Sequence, residues 1–471
     1  MISRKEYPLE RSAYFIGIGG IGISYLARYF AAKGWRVSGS DAKRSSTTDE
    51  LNKEGIKVKI GHNKAHFGSK TAQGEAFGRI IYNRAIRPDN PECKAARKAN
   101  IPLVPYAEAL GEVTREYETI AITGSHGKST TTALAAVALM RAGLDPTVFV
   151  GTKLPDLGGK NIRIGKSKWL VLEADDYQAA FLSYSPSIAI VTNIDREHMD
   201  FYKNFANVKR AFLGFLAHTR RGGTLILNKD DAPLWSLRAK VAALAKRNAL
   251  TVVWYSRNNA HAARVKEYLS LPGPHNLSNA LAVYELGKRL GVPQVKVLGA
   301  LRSYRGAWRR MEYRGIAKIG AASLKIFDDY AHHPSEIKAT IAAFREKFPR
   351  VPLLVAFQPH QARRLEVLFK EFQDAFDGAD AVWISPIYKV AGRDEAVKRD
   401  SAALVRAIQK RSPARLVFYI EDLKRLGMAI KELLATPLFK KQKQAVLVMM
   451  GAGNIVDQTD GMLLKHNHKK K

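Results

Sequence analysis

Residues 121–140 read AITGSHGKSTTTALAAVALM, with a glycine-rich turn between an apolar strand and an alanine-rich helix. Successive backbone N–H groups at such a helix start can cradle phosphate, and Lys128 supplies a compact positive charge for β- and γ-phosphates. The Ser129 hydroxyl suits Mg2+. The stretch departs from GxxxxGK[ST], because Ile122 occupies the place of the first glycine. A second glycine turn comes earlier. Gly17, Gly19 and Gly22 form GxGxxG between a strand and a helix, and Asp41 follows Gly17 by 24 residues. The first glycine allows the tight turn, the second the approach of a diphosphate, and the third close helix–strand packing. The acid stands where a ribose-binding carboxylate is expected. NAD and another nucleotide diphosphate fit this pattern equally.

Further polar clusters end apolar strands. LVLEADDY puts Glu173 and Asp175 at a strand end, where hard oxygen ligands could hold Mg2+ opposite Ser129. TNIDREHMD carries Asp195, His198 and Asp200 into a loop. HNLSNALA places Asn276 and Asn279 three apart on one helix face, where an amide could read an adenine edge or cap the helix. WRRMEYRG holds the adjacent pair Arg309 and Arg310, whose guanidinium forks suit phosphate. FDDYAHHPSEI packs two acids and two histidines before a helix, as a metal site or a nucleotide and substrate site; without cysteine, zinc ranks low.

Three α/β blocks must position these groups. The first runs from SAYFIGIGG through short strands at Ile80–Tyr82 and near Leu103. The second opens at ETIAITGSHGKS and continues through WLVLEAD, SIAIVTNID and GTLILN. In the third, from near Arg309, the strands SLKIFDDY, PLLVAF, AVWISPI, RLVFYI and AVLVMMGAGN alternate with helices around 336–347, 361–376, 400–411 and 422–434. Such alternation means right-handed βαβ units and mostly parallel sheets. The chain of 471 residues has room for several domains, and we expect boundaries at 1–115, 116–307 and 308–471. The expected fold is a Rossmann-like N-terminal domain, a central P-loop ATPase-like domain and a C-terminal Rossmann-like domain.

Lys and Arg number 76 against 43 Asp and Glu, a net charge of +33. That attracts anions, whether nucleic acid, a membrane surface or small substrates. The basic residues are dispersed, with a true run only in KHNHKKK, so a specific nucleic-acid partner is not expected. Cys93 is the sole cysteine, which fits a reducing compartment. The start MISRKEYPLE has no apolar signal region, and no stretch approaches a membrane span. A cytoplasmic protein without membrane insertion is expected.

Taken in order, FIGIGGIGISYLA…GSD, GSHGKSTTT, EADDY, VTNIDREHMDFY, HNLSNALA, RRMEYRG, DDYAHHPSEI, FQPH and MMGAGNI resemble the Mur ligases nearly end to end. These are ATP-dependent amide-bond ligases of peptidoglycan precursor synthesis. The glycine-rich start and DDYAHHP resemble the branch that joins L-alanine to UDP-N-acetylmuramate, and a sister branch that attaches a ready-made tripeptide shares both; FQPH followed by basic residues and the closing GAGN resemble the alanine-adding branch. Gln361 follows FQPH where that branch has arginine, with Arg363 and Arg364 beyond, and Trp308 before the arginine pair is also unusual.

The resemblance implies roles. Gly17, Gly19, Gly20, Gly22 and Asp41 would bind the UDP-sugar, beside Asn83, Ala85 and Ile86 of YNRAI, where Asn83 and Arg84 replace serines. Gly124, Ser125, His126, Gly127, Lys128, Ser129 and Thr130 would hold ATP, with Asn276 at adenine, Arg310 at the phosphates and Asp329 at the ribose. Ser129 and Glu173 would take one Mg2+, and His198 a second metal site. Tyr330, His332, His360 and Arg364 would lie near the amino acid. Lys128, Arg310, His198 and His332 would act in catalysis: cations screen two meeting anions, and either histidine could take the amine proton. Because water would hydrolyse an acyl phosphate, the domains should close before chemistry. The resemblance leaves monomer or dimer open, and with it carbamylation of Lys209, a feature the alanine-adding branch generally lacks.

Overall fold

The computed structural model describes residues 11–66, 77–83, 85–388 and 398–467. Arg84 and the end of the basic tail lie outside them. The described residues form three sheets. The first contains β1 (Ser12–Ile16), β2 (Arg36–Asp41), β3 (Lys57–Ile60), β4 (Arg79–Tyr82) and β5 (Leu103–Pro105). They lie in the order β3-β2-β1-β4-β5 and all pair in parallel. The order reverses between β1 and β4, which opens a crevice at the carboxyl ends of these strands, where doubly wound sheets take ligands.

The second sheet contains β6 (Glu118–Thr123), β7 (Thr147–Leu154), β8 (Lys160–Arg163), β9 (Trp169–Glu173), β10 (Ile188–Val191), β11 (Thr224–Asn228) and β12 (Thr251–Tyr255). Their order is β12-β11-β10-β6-β9-β7-β8, parallel except for the β7–β8 pair. Both faces are covered, which is why β10 and the centres of β6 and β11 read as apolar runs. The helix Lys128–Arg141 buries every residue from Ser129 to Leu139. Alanine and threonine keep it slim enough to be enclosed all round, so it has no amphipathic face.

The third sheet contains β13 (Glu312–Ile319), β14 (Ala322–Asp329), β15 (Leu353–Phe357), β16 (Ala381–Ile384), β17 (Leu416–Tyr419) and β18 (Gln444–Met450), ordered β13-β14-β18-β15-β16-β17. The antiparallel edge strand β13 is absent from the expected pattern, because half-exposed EYRGIAKI carries charges through the strand. The expected helix around 361–376 is two, Ala362–Val367 and Phe369–Gln373, broken at Leu368.

The chain divides into two compact units, Met1–Ala260 with Asn279–Leu301, and His261–Ser278 with Arg302–Lys471. The first unit holds two sheets around a continuous apolar core. Tyr25 stacks on Phe149 at 4.8 Å, and Asn161 Nδ2 donates to the Ile21 carbonyl at 3.0 Å, joining the first sheet's helix to the second sheet. The second unit packs its sheet between two apolar clusters.

Candidate active site

The loop between β6 and the helix Lys128–Arg141 is pinned from the end of β10. Asn193 Oδ1 accepts from His126 N at 2.8 Å, and the Asn193 carbonyl accepts from Ser125 N at 3.1 Å. Thr192 Oγ1 donates to the His126 carbonyl at 2.6 Å, and His126 Nε2 lies 3.0 Å from Asp195 Oδ2. Two of the amides expected to face phosphate are thus committed to Asn193. The N–H groups of Lys128, Ser129 and Thr130, in the first helical turn, are those without intrahelical partners. Gly127 has φ +81°, and a Cβ there would stand 2.6 Å from Asn279 Oδ1. Asn279 therefore packs on this loop.

Lys128 Nζ donates to the carbonyls of Gly124 at 2.6 Å and Ser125 at 3.2 Å, and to Asp176 Oδ1 at 2.7 Å. Burial alone would lower its pKa, but the charges of Asp176, Asp175 and Glu173 outweigh it and hold Lys128 firmly protonated. Ser129 Oγ donates to Glu173 Oε1 at 2.9 Å, and Gly151 N donates to Glu173 Oε2 at 2.6 Å. His198, in the left-handed region at φ +54°, brings Nε2 to 4.0 Å from Asp176 Oδ1. Ligand atoms of Asp175, Asp176 and His198 all lie within 4.8 Å of one another. Asp176 is the residue that the sequence reading lacks. Its signal was the DD doublet, but only the turn Tyr177–Ser183, with Gln178 and Ala179 at positive φ, decides which acid meets Lys128.

These residues fit a divalent cation. Three carboxylates surround one ammonium, so the cluster carries excess negative charge, and buried Asp176 Oδ2 has no hydrogen-bond partner. Oxygen donors with one imidazole suit Mg2+.

A pH effect follows from Asp231, which caps the short helix Ala232–Trp235 and accepts from Ile194 N at 3.2 Å. Burial pushes its pKa up to about 6. The unfolded carboxyl releases its proton near about 3.9. Between these values the folded chain binds more protons, so this contribution to stability falls as pH rises from about 4 to about 6. Asp231→Asn keeps the cap and removes the titration. Denaturant melts at pH 4.5 and pH 7 should show the variant gaining on the native chain at the higher pH; an unchanged difference would reject the assignment.

The other glycine loop sits at the carboxyl ends of β1 and β2. Gly17, at φ +77°, donates from N to the Ser40 carbonyl at 2.8 Å, and Ile18 N does so at 3.0 Å. Asp41 Oδ2 accepts from Gly19 N at 2.8 Å, so this acid braces the loop. A Cβ on Gly17 would lie 3.4 Å from Ile86 and 3.8 Å from Asn83, and one on Gly20 3.6 Å from Asn83 Nδ2. The turn is closed by Ala85 N donating to Asn83 Oδ1 at 3.1 Å. Gly22 differs from expectation: it makes room for Tyr106, whose hydroxyl would stand 2.8 Å from a Cβ, rather than for a strand.

In the second unit the arginine pair divides. Arg309 is buried, donates to the Gly451 carbonyl and lies over the Trp308 and Tyr330 rings at 5.5 and 5.1 Å. Arg310 lies 4.9 Å from the Tyr330 ring centre. Asp329 is enclosed: its oxygens accept from Met311 N at 2.8 Å, Ala331 N at 2.9 Å and Thr340 Oγ1 at 3.2 Å. Burial raises its pKa, against the pull of Arg310 and those N–H groups. Asn276 Nδ2 donates to the Pro272 carbonyl at 2.7 Å. The expected ATP residues therefore fall in both units, with Asn276, Arg310 and Asp329 in the second.

Tyr330, His332, His360 and Tyr388 form a ring series with centre separations of 5.4, 6.0 and 5.8 Å. Arg364 Nη1 donates to the His360 carbonyl at 3.4 Å. Gln361, at φ +67°, turns the chain between them. Tyr388 is a member that sequence spacing does not reveal, since 27 residues separate it from Gln361. His332 Nδ1 lies 2.9 Å from the Tyr330 carbonyl, which only accepts, and 3.3 Å from Glu336 Oε2, so Nδ1 carries a hydrogen and Nε2 is the ring atom left to exchange a proton.

Family models match along the chain: the Mur ligase family catalytic domain over residues 12–118, the Mur ligase middle domain over 122–287, and the Mur ligase glutamate ligase domain over 309–453. A UDP-N-acetylmuramate–L-alanine ligase of Laribacter hongkongensis (strain HLHK9) is 37% identical over 476 residues, covering 96% of this chain and 97% of that protein. One from Aquifex aeolicus (strain VF5) is 37% identical over 397 residues, covering 80% and 83%. The crystal structure of a UDP-N-acetylmuramate-alanine ligase from Thermotoga maritima matches with a TM-score of 0.76 at 26% identity, over 97% of this chain and 99% of that one. A murein peptide ligase from Psychrobacter arcticus 273-4 shares the fold, at TM-score 0.66 and 19% identity. With three domain models in register and relatives similar over nearly the whole length, this chain belongs to the Mur ligase family.

Proposed function

We propose that this enzyme joins L-alanine to the carboxylate of UDP-N-acetylmuramate at the expense of ATP, forming ADP and phosphate in peptidoglycan precursor synthesis. The observation that carries the chemistry is the phosphate loop with Lys128 between its own carbonyls and Asp176, beside the Ser129–Glu173 pair. Relatives bearing that activity's name support the substrates. We assign the glycine loop Gly17–Gly22 with Asp41, Asn83, Ala85 and Ile86 to UDP, and Gly124–Thr130 to the ATP phosphates. Asn276 serves adenine, Arg310 the phosphates and Asp329 the ribose. We place domain boundaries near 115 and 307 and the protein in the cytoplasm.

A carboxylate resists an amine because its oxygen is a poor leaving group. Lys128 and Arg310 screen the substrate carboxylate and the γ-phosphate while the bond to ADP breaks and the acyl phosphate forms. Ser129 and Glu173 would hold one Mg2+ and His198 would serve a second metal site, and metal there would neutralise charge on the transferring phosphoryl. The alanine amine then attacks the acyl carbon and phosphate leaves. His332 Nε2 receives the amine proton, its ring oriented by the bond from Nδ1 to the Tyr330 carbonyl. Tyr330, His360 and Arg364 complete the amino-acid site.

The test is a panel of amino acids and the tripeptide with ATP and UDP-N-acetylmuramate, read by product mass. L-Alanine should give the dominant adduct, with ADP release requiring both partners. ADP release without the sugar nucleotide, or a preference for the tripeptide, would sink this reading. Asp41→Ala should weaken UDP-N-acetylmuramate binding on the order of 10- to 100-fold, the worth of one charge-assisted hydrogen bond. Calorimetry should find ATP binding kept.

A further inference from the structure

The first unit contains a buried carboxylate with no part in the chemistry above. Glu92 is fully buried in the first turn of the helix Pro91–Lys98. Ser40 Oγ donates to its Oε2 at 2.7 Å, and Tyr14 OH donates to its Oε1 at 2.9 Å. His62 Nδ1 lies 2.7 Å from Oε2 and His66 Nδ1 lies 2.6 Å from Oε1. Neither lysine nor arginine pairs with it among the described residues. A buried carboxylate is tolerated only when hydrogen-bond donors replace its lost water, and here four side chains from β1, β2 and the segment after β3 converge to do so. The helix start adds favourable partial charge.

This network ends at the glycine loop. Ser40, itself fully buried, meets Glu92 through its hydroxyl, while its carbonyl accepts from Gly17 N at 2.8 Å and Ile18 N at 3.0 Å. His62 follows Gly61, whose N donates at 2.8 Å to the carbonyl of Asp41, and the Asp41 carboxylate holds Gly19 N at 2.8 Å. Two routes thus run from one carboxylate to the backbone on which a diphosphate would rest. Displacing Ser40 moves both loop amides that its carbonyl fixes.

We propose that Glu92 is a positioning residue for the sugar-nucleotide loop, acting through Ser40 and through His62. The inference rests on the reading that this loop takes UDP-N-acetylmuramate. Glu92 acts on the loop and not on the ligand: the N–H groups of Gly17, Ile18 and Gly19 are held by Ser40 and Asp41, and they fix where the rest of the loop backbone lies. Among the described residues the Glu92 carboxylate bonds lead to Tyr14, Ser40, His62 and His66 and not to the Gly124–Thr130 loop, so its loss should be felt by one substrate only.

Glu92→Gln and Ser40→Ala test this, with steady-state kinetics and calorimetry using UDP-N-acetylmuramate. Each should raise KM and Kd for the sugar nucleotide by about ten-fold, as expected for one lost charge-assisted bond, with kcat and KM for ATP unchanged. Because the two share a route, the double variant should fall short of the product of the single effects. Ser40→Ala removes one oxygen and guards against a failure of Glu92→Gln to fold. Unchanged sugar-nucleotide KM in both, while Asp41→Ala weakens that binding, would overturn the inference and leave the loop assignment standing. A parallel loss across kcat and both KM values would reduce Glu92 to a general fold residue and also overturn it. Sugar-nucleotide binding untouched by Asp41→Ala would remove the loop assignment itself, and the inference with it.

Discussion

Lys128→Ala is expected to lower kcat by roughly 10²–10³, about 3–4 kcal/mol of transition-state stabilisation, with UDP-N-acetylmuramate binding retained. The ammonium meets most charge while the phosphoryl group is in transit, so the loss should fall on turnover. The structure adds a second consequence. All three donors of Nζ are used, by Gly124, Ser125 and Asp176. A nucleotide phosphate must therefore exchange with one of them. Removing Lys128 frees the loop carbonyls and leaves Asp176 without its cation. ATP binding should weaken as well, but by less than turnover. Lys128→Met, which keeps the volume, separates charge from packing: it should match the alanine variant in kcat. A kcat near that of the native chain in either variant would overturn the role given to this residue, and calorimetry with UDP-N-acetylmuramate checks that the other loop is intact.

Glu173→Gln should lower turnover about 10²-fold and raise the Mg2+ concentration needed for half-maximal rate, on the scale of losing one charged group from a metal and phosphate site. The amide preserves the shape that Ser129 Oγ and Gly151 N now engage at 2.9 and 2.6 Å, so the fold should survive. The charge of the cluster changes by one unit where Asp175 and Asp176 remain. Calorimetric titration of ADP with and without Mg2+ gives a readout apart from activity. The native chain should bind ADP more tightly with Mg2+, and the variant should lose most of that difference. An unchanged Mg2+ dependence would remove Glu173 from the metal site. Lys128→Ala and Glu173→Gln act on one cluster, so their effects should not add.

Much of this molecule is legible in its residues. Apolar strands alternating with helices dictated three mostly parallel sheets, because a βαβ unit buries its strands on both faces. Glycines followed by Lys128 and Ser129 marked a turn between a strand and a helix, and the structure has that turn between β6 and the helix Lys128–Arg141. The edge strand β13 was not legible, since a half-exposed edge can carry charges and shows no apolar run.

What sequence alone determined is what depends on neighbours along the chain: periodicity, the two glycine turns, and the residue types available at each strand end. Tertiary structure decided which of those residues meet. It chose Asp176 over Asp175 as the partner of Lys128, turned Arg309 inward onto the Gly451 carbonyl, set both arginines against the Tyr330 ring, and set Tyr388 against His360. It also gathered Tyr14, Ser40, His62 and His66 on Glu92, residues up to 78 positions apart. The reason is physical: a buried charge or ring takes whichever partner the packing of distant strands brings within about 3–6 Å, and spacing along the chain carries no record of that distance.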